Sequence, residues 1–422
     1  MNRTARILLL VVLTAVCRQG ARCAAADFAE RLTDSTLRID YVLTGRADSV
    51  QAAAALRAVQ CSPGWYGRRG ALTDSPVEGQ STLTLTDDAT GDTIYTLPFS
   101  TLFQEWLATG DTVGPRAMEG SLLMPRPRRK AHARLHLRDN RRRTLARADF
   151  PIDPADVLIA AAPLPSDAAP RHRLFEGDST SSPKIRVALL PEGYTRAEMD
   201  LFLEDARRAV DAILSHEPFT SMADRFDFIA LAAPSVRSGV SVPAQGLWTD
   251  SRYGSHFSTF YSDRYLTAPR VWRICDDLVA AGCQHAIILA NTDTYGGGGI
   301  LNMYTLTAAH HPKFSQVIVH EFGHSFAGLA DEYFYDDTDA LDETYPTDTE
   351  PWEPNITARG YEPVKWQPLI DAGAATLVEG AGYRPRGLYR PAHDCRMRSN
   401  TASEFCAVCR QAIERMILFL TQ

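Results

Sequence analysis

Beyond its first 26 positions, the 422-residue chain has no run approaching the ~20 apolar residues of a membrane span, so no transmembrane helix is expected. Lysine is scarce, occurring only at Lys130, Lys184, Lys313 and Lys365, with arginine in its place. That bias reflects coding composition more than function. The formal net charge of −7 argues against a nucleic-acid or anionic-membrane partner. No G-x-S-x-G elbow occurs, and no cysteine stands alone as a nucleophile, which removes the commonest acyl-transfer chemistries. What remains is an ordinary globular composition, 45% hydrophobic and 23% charged, long enough for two domains or three.

Residues 1–6 carry two arginines, 7–16 are apolar, and Ala24, Ala25 and Ala26 supply small residues for cleavage. This reads as a secretory signal peptide over 1–26, cut near Ala26. The expected location is therefore secreted, periplasmic or at a cell surface. Val16 and Arg22, before Cys17 and Cys23, do not suit a lipid-attachment site. Six cysteines follow: Cys61, Cys275, Cys283, Cys395, Cys406 and Cys409. An even set in an exported protein suggests disulfides before metal sites. Cys275 with Cys283, and Cys395 with Cys406 or Cys409, are the expected pairs. A zinc site on the last three lacks a fourth ligand in the sequence.

Residues 27–158 read as an all-β sandwich domain. Positions 81–86 and 93–97 alternate around a turn at Gly91, and 130–137 alternate again before a return strand through Phe150. The Ala-, Pro-, Ser- and Asp-rich stretch 159–183 reads as a linker. From 184 to 422 strands alternate with helices: strands at 185–190, 226–231 and 285–290, and a helix opened by a Thr195/Glu198 capping box. That order implies an α/β domain with a mixed, largely parallel sheet. Residues 301–307 are the candidate edge strand, with Gly296 to Gly299 keeping its approach clear.

The most informative string is 319–333, which contains H-E-x-x-H followed by a glycine and an acidic pair. Four residues make about one helical turn, so His320 and His324 project from one face and can share a metal ion. Glu321 sits beside them, able to reach a metal-bound water without ligating. With Leu190-Pro191-Glu192-Gly193-Tyr194 upstream, Tyr295-Gly296-Gly297 before the motif, and Cys395-Arg396-Met397 with Phe405 to Cys409 after it, the chain resembles the bacterial IgA-peptidase family of metallopeptidases, M64. The resemblance implies an N-terminal β domain and a catalytic α/β zincin domain, metzincin-like, built around an active-site helix and Zn²⁺.

In metzincins a glycine ends the helix seven residues after the first histidine, and the third ligand lies ten after it. Here Gly328 and Asp331 are eight and eleven after His320, so their mutual spacing is kept. Without a turn at Gly328, Asp331 would lie about 16 Å along the helix axis, out of reach. Asp331 is the expected third ligand; Glu332 and a later Glu343 remain alternatives. Met397 is a candidate Met-turn, an apolar floor beneath the histidines. Tyr333 is a candidate oxyanion donor or a packing residue.

The expected function is a zinc endopeptidase in which metal-activated water attacks a peptide bond with Glu321 as general base. Its partners would be protein or peptide substrates, host immunoglobulin among the candidates, with a glycan a further possible ligand of the β domain. The competing reading is a secreted binding protein carrying a catalytically silent zincin domain.

Overall fold

The computed structural model describes residues 27–48, 51–109, 114–161, 169–178, 183–335 and 344–422. The expected signal peptide and Glu343 lie outside them. Eight strands belong to the N-terminal half: β1 (Leu32–Arg46), β2 (Gln51–Pro63), β3 (Ser81–Asp87), β4 (Thr93–Phe99), β5 (Arg116–Pro127), β6 (Ala131–Arg138), β7 (Thr144–Ile152) and the two-residue β8 (Ala160–Ala161). They form two four-stranded sheets, ordered β5-β1-β2-β8 and β4-β3-β6-β7. The alternation in β3 is strict, with every second residue buried. Leu83 and Leu85 of β3 and Leu135 and Leu137 of β6 join Leu37, Ile39, Tyr41 and Leu43 of β1 in one apolar core.

A helix interrupts the strands of this half, where only strands were expected. In α1 (Leu102–Ala108) Thr101 caps the first turn by accepting from the Gln104 N–H, while Leu102, Phe103, Trp106 and Leu107 are buried. Apolar residues at i and i+4 overrode the β pattern around them.

The C-terminal half is built on a six-stranded sheet, ordered β13-β14-β12-β10-β11-β9. Its strands are β9 (Arg171–Glu176), β10 (Ile185–Glu192), β11 (Phe226–Leu231), β12 (His285–Ala290), β13 (Gly297–Ile300) and β14 (Tyr304–Ala308). The four central strands are parallel, and β9 and β13 run antiparallel at the edges. β9 lies in the stretch read as a linker; its residues 171–176 pair with β11, which gives that polar segment a defined place.

Both faces of the sheet are covered, which is why its strands read as unbroken apolar runs. Val187 and Leu189 of β10 pack with α2 (Met199–Leu214) and with Phe322 and Phe326 of the motif helix. Ala188 and Leu190 face α3 (Val271–Ala281) on the other side. The expected capping box is present, ahead of α2: Thr195 N–H donates to Glu198 Oε2 at 2.8 Å.

The motif helix is α4 (Phe314–Ala327), followed by the short α5 (Gln367–Asp371), a hairpin of β15 (Val378–Ala381) and β16 (Arg384–Arg390), and the closing α6 (Ala407–Leu420). Ile413, Met416 and Ile417 of α6 pack into the same core as α4. Full burial of such side chains contributes about 1.5–3 kcal/mol each. The two halves meet through α3: Arg38 donates to Asp276 at 2.5 Å and to the Trp272 carbonyl at 2.8 Å, and the Trp272 indole donates to Gly120 O at 3.0 Å.

All six cysteines are free thiols, which departs from the expected pairings. Cys275 on α3 faces Arg38 and Ser121 of the β domain. Cys283, beyond the helix-ending Gly282, turns back to the Ala281 carbonyl. Closeness in sequence did not bring these two side chains together.

Candidate metal centre and active site

From Val317 to Ala327 every residue of α4 is buried except His320, Glu321 and His324. The solvent-reaching stripe of this helix is the motif itself. The helix ends at Gly328, whose φ of 64° is left-handed. Its N–H donates to His324 O at 3.0 Å, and Leu329 N–H reaches back to Gly323 O at 3.3 Å. A side chain at Gly328 would be strained in that conformation, and its Cβ would lie 2.7 Å from the Trp352 ring.

This turn brings Asp331 back to the histidines. Asp331 Oδ1 lies 3.0 Å from His320 Nε2 and 3.3 Å from His324 Nε2. The two Nε2 atoms are 3.0 Å apart. Ligands at ~2.0–2.1 Å from a tetrahedral Zn²⁺ would be spaced by ~3.3 Å, close to these separations. The other ring nitrogens are committed: His320 Nδ1 lies 3.0 Å from Arg396 O, and His324 Nδ1 lies 2.5 Å from Leu329 O. Carbonyls only accept, so each Nδ1 carries a proton and each Nε2 of a neutral ring presents a lone pair. Asp331 Oδ1 is buried without a hydrogen-bond partner. The two Nε2 atoms and Asp331 Oδ1 thus converge on one point, and with neutral rings three lone pairs meet there, an arrangement that a cation would satisfy.

Asp331 Oδ2 accepts from Tyr383 OH at 2.5 Å. Glu321 does not join the three donors. Its carboxylate lies against β13, where a Cβ on Gly297 would sit 2.9 Å from Glu321 Oε1. Burial raises the Glu321 pKa, with the two histidines opposing.

Glycine runs β13 along the helix: a Cβ at Gly299 would fall 2.2 Å from Glu321 O. The edge strand is therefore the glycine segment, not 301–307. The residues of β14 lie one position inward, paired on both sides. Beyond the isolated bridge from Tyr265 to Gly297, no strand pairs with the outer edge of β13 among the described residues.

The family model for IgA Peptidase M64 matches residues 175–377 and 371–417, and the model for the Peptidase M64 N-terminus matches residues 27–148. The chain belongs to the M64 peptidase family. Membership implies a peptidase, acting on protein or peptide, with a metallopeptidase the suggested type. No curated protein matches the chain.

In this M64 chain Met397 is fully buried beneath α4: a Cβ on Gly323, beside His324, would lie 2.9 Å from the Met397 sulfur. Its turn is tight, with Arg398 N–H and Ser399 N–H both donating to Cys395 O. Glu332 N–H donates to Met397 O at 2.9 Å, so the turn also anchors the segment after Asp331. Glu332 itself faces Cys409 and Asn355, away from the histidines. The Tyr333 ring stacks with His320, centroids 6.5 Å apart, and packs with Tyr383 at 5.4 Å.

Two residues escaped the sequence reading. Tyr383 sits in a hairpin turn with φ 69°, 52 positions from the carboxylate it supports, and no local pattern marks it. Glu105 comes from α1 of the other domain, accepts from Tyr265 OH, and is pushed up to about 7 by burial. Four other histidines serve elsewhere: His310 contacts Asp205, His311 packs on Tyr295, and His132 and His136 contact Asp88 and Thr144 at the surface. Glu192 of the upstream motif is fully buried and accepts from Ser251, Tyr253 and Ser255, which makes it a loop anchor.

Proposed function

We propose that this protein is an exported, zinc-dependent endopeptidase with a metzincin-like catalytic half. The observation that carries this is the convergence of His320 Nε2, His324 Nε2 and Asp331 Oδ1, each within 3.3 Å of the others. These three would hold the ion, leaving a vertex free. Bound Zn²⁺ supplies Lewis acidity, polarising a carbonyl and making water available as a nucleophile near neutral pH. The helix stop at Gly328, the acidic residue three positions on, and the buried methionine turn support the metzincin comparison.

The chain's own residues supply the rest. Glu321, raised in pKa by burial yet beside two histidines, takes a proton from the attacking water and passes it to the leaving amine. The outer edge of β13 beyond the Tyr265 bridge accepts an extended peptide as an added strand alongside Glu321. Tyr383 and the carbonyls of Arg396 and Leu329 hold the donors in their orientation.

Glu321→Gln should retain the metal and lower kcat by on the order of 10²–10⁴-fold. Near wild-type hydrolysis by that variant would remove Glu321 from the role of base. Immunoglobulin A, which gives the family its description, and an unfolded protein are the substrates to compare. Metal retained by the wild-type protein without any chelator-sensitive hydrolysis would favour the silent binding protein instead. The export signal at 1–26 is tested by N-terminal sequencing of protein recovered outside the cytoplasm.

A further inference from the structure

Behind the histidine cluster lies a second group of donors. Glu332, Cys395, Cys406 and Cys409 each direct one ligand atom into a common space, all within 4.8 Å of one another. Cys395 and Cys409 Sγ are 3.7 Å apart. Cys409 and Cys406 Sγ stand 3.1 and 3.9 Å from Glu332 Oε1. A disulfide would hold two sulfurs at ~2.05 Å. Thiolates at ~2.3 Å from a tetrahedral ion are spaced by ~3.8 Å, and a thiolate and a carboxylate oxygen by ~3.5 Å. The observed separations follow the tetrahedron.

Burial points the same way. Glu332 and Cys409 are fully buried, and Cys395 is 1% exposed. Glu332 Oε1 receives the Asn355 amide at 2.9 Å, but Oε2 has no hydrogen-bond partner. A buried carboxylate left in that state is costly unless a cation compensates it. The Cys406 N–H donates to Cys395 Sγ at 3.2 Å, a contact suited to a thiolate acceptor. Cys406 is the N-cap of α6 and Cys409 lies in its first turn, where the helix end favours negative charge.

We infer that Cys395, Cys406, Cys409 and Glu332 form a second, structural metal site for Zn²⁺, with four protein ligands and no open vertex. Three thiolates select a borderline-soft cation over Mg²⁺ or Ca²⁺. The ion joins three segments that the catalytic cluster depends on. Glu332 is covalently next to Asp331. Cys395 opens the turn whose Arg396 carbonyl orients His320 and whose Met397 carbonyl receives Glu332 N–H. Cys406 and Cys409 fix the start of α6. The site thus clamps the third-ligand strand and the methionine turn to the closing helix. Its existence does not rest on the proposed peptidase activity.

The test counts metal where the catalytic donors are gone. The His320→Ala/His324→Ala double variant, purified with zinc and dialysed, should keep about one Zn²⁺ per chain, against about two in the wild type. Loaded with Co²⁺, it should show a sulfur-to-metal charge-transfer band in the near ultraviolet. Cys409→Ser in the same background should abolish both signals, and Glu332→Gln should weaken retention of the ion. On the wild type, stepwise modification of the three thiols should release one zinc. Recovery of two of these cysteines as a disulfide after denaturing alkylation, or no metal in the double histidine variant, would overturn the site.

Discussion

Asp331 and Glu332 are adjacent, both buried, and serve opposite surroundings. Asp331 completes two imidazoles whose side chains are 14% and 15% exposed, on a helix face beside strand β13, whose outer edge carries only the Tyr265 bridge among the described residues. Glu332 completes three sulfurs in the core and faces no cleft. Nitrogen and oxygen donors with a free vertex suit chemistry, whereas thiolates with every vertex filled suit fixation. One peptide bond separates them, so moving either carboxylate moves the other. The difference also shows in the two side chains' acidity. Burial would raise Asp331, but before any ion binds the positive charge that His324 and His320 carry when protonated holds it well below the usual carboxylate range. Glu332 has no such neighbours, and burial pushes it up to about 8.

The largest break in this comparison should come from Asp331→Ala. It removes one of three donors from the open cluster and leaves the thiol cluster whole. Hydrolysis should fall by more than about 10³-fold, with one of the two metals lost and the thermal midpoint little changed. Retained activity would hand the ligand role to another acid.

Gly328→Ala attacks the same cluster through the backbone. A left-handed non-glycine residue facing Trp352 should cost about 1–3 kcal/mol of stability. It should also displace Asp331 and Glu332 together, so both metals should be held more weakly. Calorimetry with metal titration reads both effects; loss of the open-cluster metal alone would show the two clusters to be independent.

Tyr383→Phe is subtler, removing only the hydroxyl that Asp331 Oδ2 accepts. Supporting bonds of this kind are worth ~10–100-fold in metal affinity. Competition with a chelator should show that loss at the open cluster and none at the thiol cluster.

The open cluster was legible in sequence because its donors lie within 12 residues, the two histidines at helical spacing and the aspartate just past a helix-ending glycine. The closed one was not. Its cysteines looked like an even disulfide set, and its fourth ligand, Glu332, lies 63 positions before Cys395, hidden beside a stronger candidate. Strands behaved likewise. Phe226–Leu231 and His285–Ala290 declared themselves as apolar runs, and Ser81–Asp87 by alternation. Gln51–Pro63 did not, because an alanine-rich stretch has little β preference of its own and is held by pairing with β1. The edge strand was misplaced by a few residues because four glycines read as a loop. In the fold Gly297 and Gly299 let the strand lie against α4, and Gly296 and Gly298 face residues 257–266 on the other side.

The smallest expected effect extends the comparison to the other domain, which reaches toward the open cluster through Glu105. Burial raises this carboxyl to about 7 from an ordinary 4.5, despite the hydrogen bond from Tyr265. Between pH 4.5 and 7 the folded protein keeps a proton there that the unfolded chain has lost. Stability therefore falls as pH rises through that window. Glu105→Gln keeps an acceptor for Tyr265 and carries no charge, so it should flatten this slope. At pH 8 the variant should be more stable than wild type by about 1–3 kcal/mol, and at pH 4 it should be equal. Denaturant titrations at the two pH values decide the matter. An equal change at both would mean that Glu105 acts by packing, with no charge held between the domains.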